Sequence, residues 1–111
     1  TRRDAYANFG DSGSQIFNQW RALRDHYGLV FSWKGKKLIV WDMKWKPNNS
    51  NMEPGKIRID TNKSLIMELK GGQASLLEIQ LEGKKRMPVK QFLAGAQLRD
   101  GDFIQAYEEE F

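Results

Sequence analysis

From Gly28 to Glu82, apolar residues recur at every second position in short runs, and glycine, proline or asparagine stops each run. A period of two marks a strand with one buried face, so this stretch is constrained to build a sheet of short strands. Leu29-Val30-Phe31-Ser32-Trp33 reads as the first strand and Lys34-Gly35-Lys36 as a turn. A longer strand follows over Lys37 to Lys46, with Ile39, Trp41, Met43 and Trp45 on one face. The breaker-rich stretch from Pro47 to Pro54 predicts a loop. Gly55 to Asp60 then carries Ile57 and Ile59 on one face, and Ser64 to Lys70 carries Leu65, Met67 and Leu69. The Gly71-Gly72 pair separates these from a strand over Leu76 to Glu82.

Helical spacing occurs on either side of this block. Ile16, Phe17, Trp20 and Leu23 define an amphipathic helix with Ser12 or Ser14 as N-cap, ending between Asp25 and Gly28, where glycine supplies a left-handed cap. A shorter helix is predicted from about Pro88 to Leu93, with proline in its first turn and Gly95 just past its end. Five short antiparallel strands with one buried face leave sticky edges unless the sheet closes. The expected fold is therefore mainly β: a small, closed or nearly closed antiparallel barrel, with an N-terminal amphipathic helix and a short helix near the C-terminus. One domain over residues 12–107 fits the 111-residue length. Residues 1–11 read as a linker or the end of a longer chain, since no initiating Met is present, and 108–111 as an acidic tail.

Charge is concentrated in that body. The formal net charge is +4, but Glu108, Glu109 and Glu110 lie in the tail. Eighteen cations against eleven acids over residues 1–107 leave +7. A basic body favours a polyanionic partner, nucleic acid or a membrane surface, and plain solubility is the other reading. There is no cysteine, which suits a reducing compartment. No apolar run reaches membrane-spanning length, and residues 1–20 lack the apolar core of a signal peptide.

Two clusters hold most of the excess cations. Lys34, Lys36, Lys37, Lys44 and Lys46 surround the first hairpin, opposed only by Asp42; Lys84, Lys85, Arg86 and Lys90 follow the last predicted strand with no acid between them. In the second cluster three cations lead directly into a helix start, where free N–H groups carry partial positive charge, and that combination suits a phosphate. A solvated corner explains the same pattern. The four tryptophans do not read as stacking platforms: Trp20 lies on the helical apolar stripe, and Trp41 and Trp45 fall on the core face of a strand. Trp33, beside the turn, is the one candidate for exposure.

The residues for catalysis are nearly all missing. His26 is the only histidine and sits in a helix-ending RDHYG, where a solvated or capping role is expected. No set of acids has metal-ligand spacing, and no loop of phosphate-cradling type occurs. Glu78 and Glu82 read as surface pairs near Lys84, while Asp100 and Asp102 flank Gly101 in a turn. Asn48-Asn49-Ser50 and Asn62-Lys63-Ser64 match the glycosylation pattern, which has no weight outside a secretory context.

The segment LLEIQLEGKKRMPVKQFLAG, followed by LRDGD, resembles the close of the C-terminal domain of methionyl-tRNA formyltransferases. IFNQWRAL resembles that family's helix, KGKKLIVWDM its first hairpin, and PGKI its mid-domain turn. The likeness covers about Ser12 to Phe103, and Tyr27-Gly28-Leu29 replaces the Pro-Gly-Ala-like step usual in the family. It implies an OB-like barrel that binds initiator tRNA through its phosphate backbone. The catalytic domain, with its 10-formyltetrahydrofolate site, would lie upstream, so the segment itself would hold neither catalytic residues nor a cofactor. On this reading Lys34, Lys36, Lys37, Lys84, Lys85, Arg86 and Lys90 contact tRNA, the protein is a monomer, and its compartment is the bacterial cytoplasm or the mitochondrial matrix. A barrel that braces another folate-dependent formyltransferase or hydrolase without touching RNA is the alternative. A free-standing single-strand-binding barrel would need exposed aromatics.

Overall fold

The helix signalled by Ile16, Phe17, Trp20 and Leu23 forms over Gly13–Leu23 (α1) in the computed structural model, which describes residues 2–49, 52–95 and 98–108. Its start is a capping box. The Ser12 side chain accepts from the Gln15 N–H at 3.2 Å, and the Gln15 side chain accepts from the Ser12 N–H at 2.9 Å. The helix is left through Gly28, whose φ of 64° lets its N–H donate back to the Leu23 carbonyl at 3.2 Å.

Seven strands follow: β1 (Leu29–Trp33), β2 (Lys36–Pro47), β3 (Ile57–Ile59), β4 (Leu65–Leu69), β5 (Gly72–Leu81), β6 (Met87–Pro88) and β7 (Gln105–Ala106). They form one curled antiparallel half-barrel in the order β3-β4-β5-β2-β1-β7, with β6 paired to β5 beyond β4. The segment before β7 spans the gap between the outer strands. The Ile57 N–H donates to the Asp102 carbonyl at 2.7 Å and the Ile104 N–H to the Gly55 carbonyl at 2.8 Å, while Phe31 in β1 pairs with Ala106. The second helix, α2 (Val89–Gly95), packs Phe92 edge-on against Trp33, ring centroids 6.1 Å apart. Inside lie Leu29, Phe31, Leu38, Val40, Met67, Ile79 and their neighbours, closed over by Ile16 and Trp20 of α1 and Val89 and Phe92 of α2.

Several local expectations are corrected. β5 begins at Gly72, not Leu76, because Gln73, Ala74 and Ser75 pair on both sides, with β2 and with β4. Pro88 ends β6 instead of opening a helix, and Gly95 is the last helical residue, not the one after. The largest change is in β2. The ladder shifts register around Asp42, so Trp41 has no opposite partner on β5, nor has Leu77 on β2. This bulge turns the strand over. Leu38 and Val40 face inward before it, Met43 after it, and Ile39 and Trp41 point outward. Trp33, the one tryptophan offered as a candidate for exposure, is 8% exposed beneath α2. The exposed tryptophan candidate is thus exchanged: Trp41 is half-buried on the outer face.

Residues 5–9, which carry no clear period, lie against the barrel. Ala5 and Ala7 are buried, the Ala7 N–H donates to the Val30 carbonyl at 3.0 Å, and Tyr6 meets Tyr107 edge-on at 5.1 Å. Thr1, Ser50 of the first glycosylation pattern, and Glu109, Glu110 and Phe111 of the tail lie outside the described residues.

Candidate nucleic-acid interface

The pairing of β2 with β5 decides where the cations go. Leu38 faces Leu81, so the β1–β2 turn (residues 34–35) and the chain after β5 (82–86) emerge at the same end of the barrel. The two cross-link there: the Glu82 N–H donates to the Lys37 carbonyl at 2.8 Å, and the Lys37 N–H to a Glu82 carboxylate oxygen at 3.0 Å. Lys34, Lys36, Lys37, Lys84, Lys85 and Lys90 are thereby gathered around one end and the adjoining α2. None of these lysines forms an ion pair with a described carboxylate. Two acids bordering this end are otherwise engaged. Glu82 takes the Lys37 amide, and Asp102 accepts from the Arg99 N–H at 2.9 Å.

Arg86 departs from this group. It pairs with Glu78 and lies over the Trp41 ring at 4.6 Å, so its charge is offset and its guanidinium face is covered. Lys44 and Lys46 are also separate. Opposite Ser75 and Gln73, they lie eight and ten residues along β2 from its start at Lys36, roughly 26–33 Å at strand spacing. The seven predicted contact residues therefore divide into six lysines whose backbones share one end, with the Lys37 ammonium over the Tyr107 ring at 5.1 Å, and one arginine engaged with a carboxylate. The helix start that these cations lead into falls at Val89, one residue later than expected, and Pro88 before it belongs to the sheet.

Lys34 occupies an unusual backbone position. Lys34 and Gly35 are the two central residues of a tight hairpin turn, with φ of 52° and 79°. That turn favours Asn-Gly, and a lysine there costs on the order of 1 kcal/mol. The left-handed conformation sets the Lys34 ammonium over the Trp33 ring at 4.9 Å. Beside it opens a cleft of about 430 Å³ with an apolar floor that includes Trp33, Met87 and Phe92 and a rim that includes Lys34, Lys84 and Gln91. The sequence had pointed to the lysines, but nothing in it linked them to Met87, Gln91 or Phe92, residues that reach the same cleft only because α2 folds across the barrel end. Likewise, only the unforeseen bulge brings Trp41 to Arg86.

Among the described residues no three His, Asp or Glu side chains are placed to hold a metal ion, and no helix is long and apolar enough to cross a membrane. What this end offers chemically is attraction: several ammonium groups with no ion pair to a described carboxylate, beside a small apolar surface.

Comparison with known proteins adds ancestry to this geometry. The family model for the formyl transferase C-terminal domain matches residues 1–97. Similar proteins include one called methionyl-tRNA formyltransferase from Acidobacterium capsulatum, 37% identical over 95 residues, covering 86% of this chain and 30% of that protein. Proteins of the same name from Koribacter versatilis (31% identity, 91% of this chain, 32% of theirs) and Staphylococcus aureus (33%, 86% and 31%) are also similar. The chain thus spans about a third of the length of these relatives. By the family model over residues 1–97 and by 37% identity over 86% of its length to the Acidobacterium capsulatum protein, the chain belongs to the formyl transferase C-terminal domain family.

Proposed function

We propose that this domain docks tRNA without reacting with it, as the C-terminal tRNA-binding domain of a methionyl-tRNA formyltransferase. An upstream catalytic domain would take the formyl group from 10-formyltetrahydrofolate, and this barrel would hold initiator Met-tRNA by its phosphates, as a monomer, in the bacterial cytoplasm or mitochondrial matrix. The observation that carries the reading is the convergence of Lys34, Lys36, Lys37, Lys84, Lys85 and Lys90 on one end, none paired with a described carboxylate. Unpaired cations on a folded surface gain most from a polyanion that releases its counterions on binding. The name borne by the relatives adds support for tRNA as that polyanion.

A salt titration tests the reading. Four to six engaged phosphates make affinity fall as roughly the third to fifth power of salt concentration, about 60- to 1000-fold between ~50 and ~200 mM. Binding that stays flat across that range overturns the phosphate-docking reading. Absence of tRNA binding even at low salt favours a domain that only braces its catalytic partner.

A further inference from the structure

We propose that the cleft between the β1–β2 turn and α2 holds one unpaired nucleotide of the bound RNA, its base on the apolar floor and its phosphate between Lys34 and Lys84. The proposal rests on the docking reading and adds to it a site with a shape. Surface lysines alone need no cavity, yet these two stand at the rim of one, about 430 Å³ in volume, floored by Trp33, Leu81, Met87 and Phe92. That is at the small end of the range for ligand sites, room for one nucleotide and not for a helix. An apolar floor under two cations matches the two halves of a nucleotide. Gln91 supplies both a donor and an acceptor for a base edge.

The backbone gives a second and independent reason. Lys34 holds a left-handed φ of 52° at a turn position suited to asparagine or glycine, and this strained placement puts its ammonium above Trp33 at the cleft mouth. Strain at one residue, with no ion pair to a described carboxylate to offset it, points to something the side chain must reach. Stacked base pairs keep their faces covered, so the occupant has to be an unpaired or splayed nucleotide.

Three RNA hairpins with one stem test this on the 111-residue chain: one carries a single unpaired adenosine, one an abasic residue at that place, and one is fully paired. At one fixed low salt concentration the adenosine hairpin is expected to bind about tenfold more tightly than the abasic one. Gly95→Leu fills the cleft from its edge, where an added side chain meets open space, and should remove that preference. Lys34→Asn suits the turn better than lysine, so folding holds; since both hairpins keep the phosphate, it should weaken the two alike and leave the preference in place. Equal binding of adenosine and abasic hairpins by the parent chain overturns the nucleotide site while leaving phosphate docking in place. A preference that survives Gly95→Leu overturns it as well. If none of the three hairpins binds, the docking reading fails and the cleft proposal fails with it.

Discussion

Leu38 of β2 sits directly opposite Leu81 of β5, and both are buried. This one cross-strand pair sets the register by which two lysine-bearing turns, almost fifty residues apart in sequence, share an end of the barrel. The apolar ladder supplies the energy, since the like charges it gathers repel one another. Charge placement here is a consequence of core packing, and the lysines themselves should be dispensable for folding.

Removing Lys84 and Lys85 together tests that separation. The double alanine variant should keep its unfolding free energy within about 0.5 kcal/mol of the parent, because both side chains are exposed and make no ion pair with a described residue. Its slope of log affinity for tRNA against log salt should become shallower by nearly two, one for each phosphate no longer neutralised. Urea denaturation and a salt-dependent binding titration read the two quantities. A variant with an unchanged slope would show that these lysines touch no phosphate.

Arg86→Ala should behave in the opposite way. Arg86 is paired with Glu78 and stacked on Trp41, so its loss uncovers an indole face and leaves Glu78 without its cation. The pair is substantially exposed, which limits the cost to about 1 kcal/mol. Trp41 emission should shift to longer wavelength as water reaches the ring, while the salt slope of tRNA binding barely moves. Arg86→Lys should not restore the emission, because an ammonium lacks the flat face that covers the indole.

How far the fold and the site were legible follows from where the period of two holds. Leu65, Met67 and Leu69, or Leu29, Phe31 and Trp33, alternate without interruption, and their strands were readable. β2 was readable as a strand but not as a face, because a bulge adds a residue without changing composition and everything beyond it is turned over. That event turned Trp41 outward, while the burial of Trp33 comes from α2, which packs Phe92 against it. Met87–Pro88 and Gln105–Ala106 are too short to show any period, and they become strands only because β5 and β1 offer open edges. The site was half legible. Lysines are visible as runs of charge, but their convergence depends on the β2–β5 ladder, and the commitment of Arg86 to Glu78 depends on β6 holding the chain beside β5.

Two adjacent glycines should respond differently to alanine. Gly72 begins β5 against Pro47, and an added Cβ would overlap the Lys46 carbonyl oxygen and the Trp45 ring. Backbone cannot swing aside as a flexible side chain can, so Gly72→Ala should cost about 1–3 kcal/mol through overpacking. Gly71 has φ of 85° and open space around its Cβ position, so Gly71→Ala carries only the conformational cost, about 1 kcal/mol. Urea unfolding of the two variants should rank Gly72→Ala as the less stable. The reverse ranking would contradict the close approach of β2 and β5 at this end.

Trp20 performs two tasks that a substitution can separate. Its ring is 4% exposed against the core, and its indole N–H donates to the Trp41 carbonyl at 3.1 Å, within the irregular part of β2. A bulge disrupts the ladder locally, so carbonyls there need partners from elsewhere. Trp20→Phe keeps an aromatic ring in the core but removes the donor. The uncompensated carbonyl should cost about 1–3 kcal/mol, with a further loss from reduced volume. The two contributions differ in where they are felt. A volume loss loosens α1 and the core beneath it, whereas a missing donor frees the bulge. Amide hydrogen exchange should therefore accelerate most at residues 40–43 and 77–79, well before β1 and β4 respond. Uniform acceleration across the sheet would mean that the Trp20 hydrogen bond does not hold the bulge, and that packing alone turns Trp41 outward.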